Sequence, residues 1–81
     1  MTLDDIYAGL TEIFHDVFMR DDIVLTPALT AADVEGWDSH KMIEIVIGVE
    51  ETYGVRLETK ELDNLNNVGD LARIVMQRAL P

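Results

Sequence analysis

The chain contains no cysteine. That excludes a disulfide framework, a thiolate metal site and a cysteine nucleophile within the polypeptide, and it suits a reducing cytosol. Positive charge is scarce: six Lys and Arg stand against 16 Asp and Glu, for a formal net charge of −10. Phosphate backbones are bound by clustered Lys and Arg, so nucleic acid is excluded as a partner. No apolar run approaches the ~20 residues of a membrane span. The N-terminal stretch MTLDDIYAGL carries acids where a signal peptide carries cations. These absences predict a cytoplasmic protein without membrane insertion, met by partners that present basic patches.

The 81 residues set the scale. They predict one domain, residues 1–81, and a chain that buries only about 60% of its unfolded surface leaves no room for a deep enclosed active site. Hydrophobic residues make up 48% of the chain, enough to separate it from disordered acidic sequences.

Periodicity predicts helices. Leu3, Ile6, Leu10, Ile13, Phe14, Val17 and Phe18 recur at steps of three and four, one face of an amphipathic helix. Thr2 and Asp5 are spaced as its capping box. A second helix is predicted from about Ser39 to Tyr53, with Asp38 as N-cap and Gly54 as C-cap. Its inner face is Met42, Ile45, Val46, Val49 and Tyr53. Gly48 interrupts it at a cost of about 1 kcal/mol relative to Ala, which predicts a close helix contact. Thr59 to Leu65 has room for a turn or two, and Asn67 caps a last helix with the stripe Val68, Leu71, Ile74, Val75 and Leu80. Residues 23–38 show no period and predict a long ordered loop pinned by Leu25, Leu29, Val34 and Trp37. The run Val55-Arg56-Leu57 alternates like a strand but has nothing to pair with. The expected fold is all-α: a small bundle of three main helices and one short helix, with a long loop between the first and second.

Catalytic and metal chemistry find little support. Asp38, Ser39 and His40 are triad residue types in succession, but neighbours on one turn diverge where a triad must converge. No G-x-S-x-G elbow occurs. His15 falls beside Phe14 in the first helix, as a surface or boundary residue. The carboxylates Asp21-Asp22 and Asp33-x-Glu35 lack the alternating pattern of a calcium loop, and His15 and His40 lack the spacing of a zinc pair. Two features stay open. Ser39 is either an ordinary helix-start residue or a hydroxyl at which a group is attached, a phosphodiester being favoured at a helix N-terminus. Ile43 and Ile47, one turn apart and flanked by Glu44, Glu50 and Glu51, are either covered by the first loop or form an apolar docking face with an acidic rim.

The combination of features resembles the acyl carrier proteins, over nearly the whole chain: the first helix, the long loop, Asp38-Ser39 opening the second helix, EIVIGVEETYGVRL after it, and NVGDLARIV at the last helix. The resemblance implies that Ser39 receives 4′-phosphopantetheine from coenzyme A through a phosphopantetheinyl transferase, Asp38 positioning the helix start. An acyl group then rides as a thioester on the arm, which supplies the thiol the polypeptide lacks. It further implies a recognition face of His40, Ile43, Glu44, Ile47, Glu50 and Glu51, and a core of Ile45, Val46 and Val49 where a chain shelters. His40 departs from the family, which has Leu after the serine, and Lys41 beside it adds positive charge; a specialised pathway is implied.

The expectation is therefore a free-standing monomeric acyl carrier protein, not an enzyme and with no metal. Its partners would be a phosphopantetheinyl transferase and acyl-loading ligases or synthases of fatty-acid, polyketide or specialised lipid synthesis. Two alternatives remain: a peptidyl or aminoacyl carrier of non-ribosomal type, and an acidic helical adaptor with no prosthetic group, in which Ser39 is only a helix-start residue.

Overall fold

The computed structural model describes residues 2–79; Met1 and Leu80, the last residue of the expected C-terminal stripe, lie outside them. The helices run α1 (Leu3–Phe18), α2 (Ser39–Tyr53), α3 (Thr59–Asp63) and α4 (Val68–Ala79), with a short 3-10 turn at Ala31–Asp33. Among the described residues no strand occurs, and Val55–Leu57 joins no sheet. The small helical bundle expected from the sequence is the fold observed. The 3-10 turn was not expected, being too short to carry a period.

Each main helix starts where its cap dictates. Thr2 Oγ1 accepts from the Asp5 amide at 3.2 Å while the Asp5 carboxylate accepts from the Thr2 amide at 3.0 Å, closing the reciprocal capping box. Gly54 ends α2 with φ 66°. Asn67 Oδ1 accepts from the Asp70 amide at 2.9 Å to open α4. α1 ends differently: its C-cap Met19 sits in the left-handed region at φ 54°, ψ 42°, at a cost of roughly 1 kcal/mol for a residue with a side chain.

The core is assembled from one face of each long helix. Ile6, Leu10 and Phe14 of α1, Ile45 and Val49 of α2, and Val68, Leu71 and Val75 of α4 are fully buried, each contributing about 1.5–3 kcal/mol relative to exposure. Leu3 leaves the expected stripe and is half exposed, since it lies at the very start of α1. Two glycines allow α2 to approach α1. A Cβ on Gly48 would lie 2.9 Å from Cγ2 of Ile13, which accounts for glycine within the helix. A Cβ on Gly9 would lie 2.0 Å from the Tyr53 hydroxyl, which donates to Ile6 O at 3.0 Å.

The long loop is held at both ends and in the middle. His15 Nε2 lies 3.1 Å from Ile23 O, and Ile23 itself is buried although it was not among the expected pins. Pro27 O and Leu29 O accept from the amides of Gly69 and Val68 at 2.9 and 2.8 Å, so the loop satisfies amides that α4 leaves unpaired at its N-terminus. Thr30 donates through its amide and its hydroxyl to the Asp33 carboxylate across the 3-10 turn. At the far end the Trp37 ring meets Phe14 edge-on at 5.2 Å and Phe18 at 6.3 Å, geometry favoured for aromatic pairs. The residue after Trp37 is Asp38. The aromatic cluster on α1 thus sets where α2 begins.

Candidate functional site

Asp38 caps α2 through one side-chain bond, Oδ1 accepting from the Lys41 amide at 2.9 Å. That amide holds the Asp38 carboxyl below the usual carboxylate range, with His40 adding a smaller electrostatic contribution. Ser39 follows as the first residue of the helix, exposed, with His40 exposed beside it. It is also the only serine in the chain, a plain compositional signal that reading by motif overlooked.

A cleft of ≈ 290 Å³ opens beside Ser39, towards α3 and the start of α4. Trp37, Met42, Leu62, Leu65 and Leu71 line it together with Asp38, Asn66 and Asn67. Ile45, Val46 and Val49, expected to shelter a chain, are buried in the core but do not line this cleft. In the sequence Trp37 belongs to the loop, Met42 and Leu71 to helix stripes, and Leu62 and Leu65 to the short helix; their convergence depends on how α3 folds back. α3 is fastened there by Arg78 of α4, which pairs with Glu61 and donates to Arg56 O at 2.9 Å.

On the outer face of α2, Ile43 is 60% exposed and Ile47 49% exposed. The loop does not cover them, which resolves the question left open by periodicity. Glu44 and Glu51 are exposed around them. Glu50 is partly committed inward: its Oε2 accepts from the Leu57 amide at 2.9 Å. Lys41 does not add a free cation to the face either. Its Nζ donates to Val17 O at 3.3 Å, at the negative end of the α1 dipole, and pairs with Glu44 at 3.3 Å. The α2 surface therefore remains acidic around an apolar centre. Among the described residues no helix is long and apolar enough to cross a membrane.

Comparisons with known proteins agree with this arrangement. A family model described as the phosphopantetheine attachment site matches residues 8–75, which defines the class as carriers of that group. The chain is 33% identical to the meromycolate extension acyl carrier protein of Mycolicibacterium smegmatis over 76 residues, covering 94% of this chain and 77% of that relative. It is 34% identical to the acyl carrier protein of Acidothermus cellulolyticus over 70 residues, covering 86% and 83% of the two chains. The solution NMR structure of the holo acyl carrier protein from Geobacter metallireducens superposes with a TM-score of 0.83 at 40% identity, covering 95% of this chain and 84% of that one. The chain belongs to the acyl carrier protein family.

It is accordingly a carrier rather than an enzyme, with 4′-phosphopantetheine as its covalent prosthetic group, and it works by meeting transferase and synthase enzymes in turn. The residues present fit such a group. An exposed hydroxyl stands at a helix N-terminus, where a phosphodiester is favoured, and it opens onto a largely apolar cleft that Asn66 and Asn67 also line.

Proposed function

We propose that Ser39 is the attachment residue and that the chain acts as one carrier domain, a monomer, presenting acyl intermediates of a lipid chain-extension pathway to partner enzymes. The observation that carries this is the place of the only serine: exposed, directly after the Asp38 cap, and opening onto the cleft. Within a transferase, Ser39 Oγ gives up its proton and becomes the bridging oxygen of a phosphodiester, the nucleotide half of coenzyme A leaving. When attached, the group supplies the thiol on which an acyl chain is carried as a thioester.

The polypeptide contributes positioning. Asp38 and the Trp37 cluster set the angle at which the hydroxyl leaves the surface, and the α2 amides favour the phosphate. His40, Ile43, Glu44, Ile47, Glu50 and Glu51 serve as the recognition face, Glu50 also fastening the turn to Leu57. Ile45, Val46 and Val49 support that face from the core. Acidic rims around apolar centres set encounter rate and selectivity more than affinity, which suits a carrier that must leave each enzyme. A lipid cargo is supported by the relatives that serve meromycolate extension; His40, where the family has leucine, supports a dedicated set of partners.

The test is the intact mass of the apo-protein before and after incubation with coenzyme A and a broad-specificity phosphopantetheinyl transferase. Wild type gains one phosphopantetheinyl group and Ser39→Ala gains none. A gain in Ser39→Ala would refute the assignment.

A further inference from the structure

Met19 has no structural reason to be methionine. Among the described residues it is the only non-glycine with positive φ, a conformation that glycine adopts without steric cost. The residue is 90% exposed and takes no part in the core. Its amide closes α1 by donating to His15 O, a bond that any residue but proline could make. The chain thus keeps a flexible apolar side chain, held out to solvent, where glycine would be the easier residue.

What surrounds Met19 suggests what the side chain is for. A groove of ≈ 410 Å³ lies between the end of α1 and the first half of α2, bounded by Asp16, Val17, Met19, Lys41, Glu44 and Ile47. It occupies the flank of α2 opposite the cleft beside Ser39. Its surface is chiefly apolar, contributed by Val17, Met19 and Ile47. The one cation on it, Lys41, is bonded to Val17 O and paired with Glu44, so the two carboxylates Asp16 and Glu44 against one ammonium leave its edge acidic on balance. Lys41 also belongs to the same first turn of α2 as Ser39, so a protein reaching the Ser39 hydroxyl from this side covers the groove.

We infer that this groove is the seat of the phosphopantetheinyl transferase that loads Ser39, and that Met19 helps determine which transferase is accepted. The inference rests on Ser39 being the attachment residue. The occupant is a transferase that presents an apolar side chain ringed by Lys and Arg: the apolar part meets Met19, Val17 and Ile47, and the basic ring meets Asp16 and Glu44 on a chain of net charge −10. Met19 acts through binding and touches no reacting atom. It is a specificity residue, and methionine suits an adaptable contact surface.

The experiment measures kcat and KM for loading of the apo-protein by a broad-specificity phosphopantetheinyl transferase with coenzyme A, together with the Tm of each variant. Met19→Gly is expected to raise KM about tenfold with kcat unchanged, the signature of lost uniform binding. Its Tm should hold or rise, because left-handed strain is relieved. Met19→Leu is expected to keep KM within about twofold of wild type, since apolar volume is conserved. Val24→Ser, which removes another exposed apolar side chain outside the groove, should leave KM unchanged. A Met19→Gly KM within about twofold of wild type would overturn the inference, as would an equal rise in Val24→Ser. Failure of the wild type to be loaded at all would overturn the Ser39 assignment instead, and this inference with it.

Discussion

Gly9→Ala separates tertiary fit from intrinsic helix preference. In an isolated helix the change favours α1 by about 1 kcal/mol. In the folded chain the added Cβ would stand 2.0 Å from the Tyr53 hydroxyl oxygen and 3.0 Å from Cζ. The ring must withdraw by an ångström or more, which breaks its 3.0 Å hydrogen bond to Ile6 O. Loss of that bond costs about 1 kcal/mol, and repacking Tyr53 against the core costs about 1–3 kcal/mol. Offset by the helix gain, Gly9→Ala should destabilise the fold by about 1–3 kcal/mol. Tyr53→Phe alone loses the bond only, about 1 kcal/mol. With the oxygen gone, the new Cβ meets only the ring edge, so the double variant should be more stable than the sum of the single effects by about 1 kcal/mol or more. Urea unfolding followed by far-ultraviolet circular dichroism and by Trp37 fluorescence measures all four proteins of the cycle. A stabilised Gly9→Ala, or effects additive within about 0.5 kcal/mol, would refute the reasoning.

Two further predictions concern how the site is held. Gly69→Ala puts a Cβ 2.9 Å from Pro27 O, against backbone that cannot rotate away. It should cost about 1–2 kcal/mol net of helix preference and speed amide exchange at Val68, whose partner is Leu29 O; unchanged exchange would show that the latch does not hold the loop. At Asp38 the folded carboxyl titrates below its unfolded value because of the Lys41 amide. Its charge therefore contributes stability that is full above the unfolded pKa and is lost as pH falls through the folded one. The Tm advantage of wild type over Asp38→Asn, present at pH 7, should accordingly shrink as pH falls below the ordinary carboxyl value of 3.8 and be gone once pH has passed the lowered folded value; a difference independent of pH would contradict the assignment.

Much of the fold was legible because its signals are local. Asp38, Gly54 and Asn67 bracket helices through bonds to residues three or four away, and the stripes of α1, α2 and α4 repeat at helical spacing. The remainder depends on partners distant in sequence. Nothing near Pro27 announces that its carbonyl will cap α4, and nothing near Lys41 that its ammonium will reach Val17 O. Glu50 looks like any rim acid until Leu57 folds back onto it. For Ile43 and Ile47, periodicity left burial and exposure equally open, and only the path of the loop decided between them. The site divides the same way. Ser39 and its cap could be read directly, whereas the cleft of Met42, Leu62, Leu65 and Leu71 exists only once α3 is pinned by Arg78.

The most direct measurement is to isolate the protein from its native source, digest it, and locate the prosthetic group by fragmentation mass spectrometry. A single phosphopantetheinyl group is expected, on the peptide containing Ser39 and on the serine itself. A native protein whose Ser39 is never modified, or whose group lies on a threonine elsewhere, would contradict it.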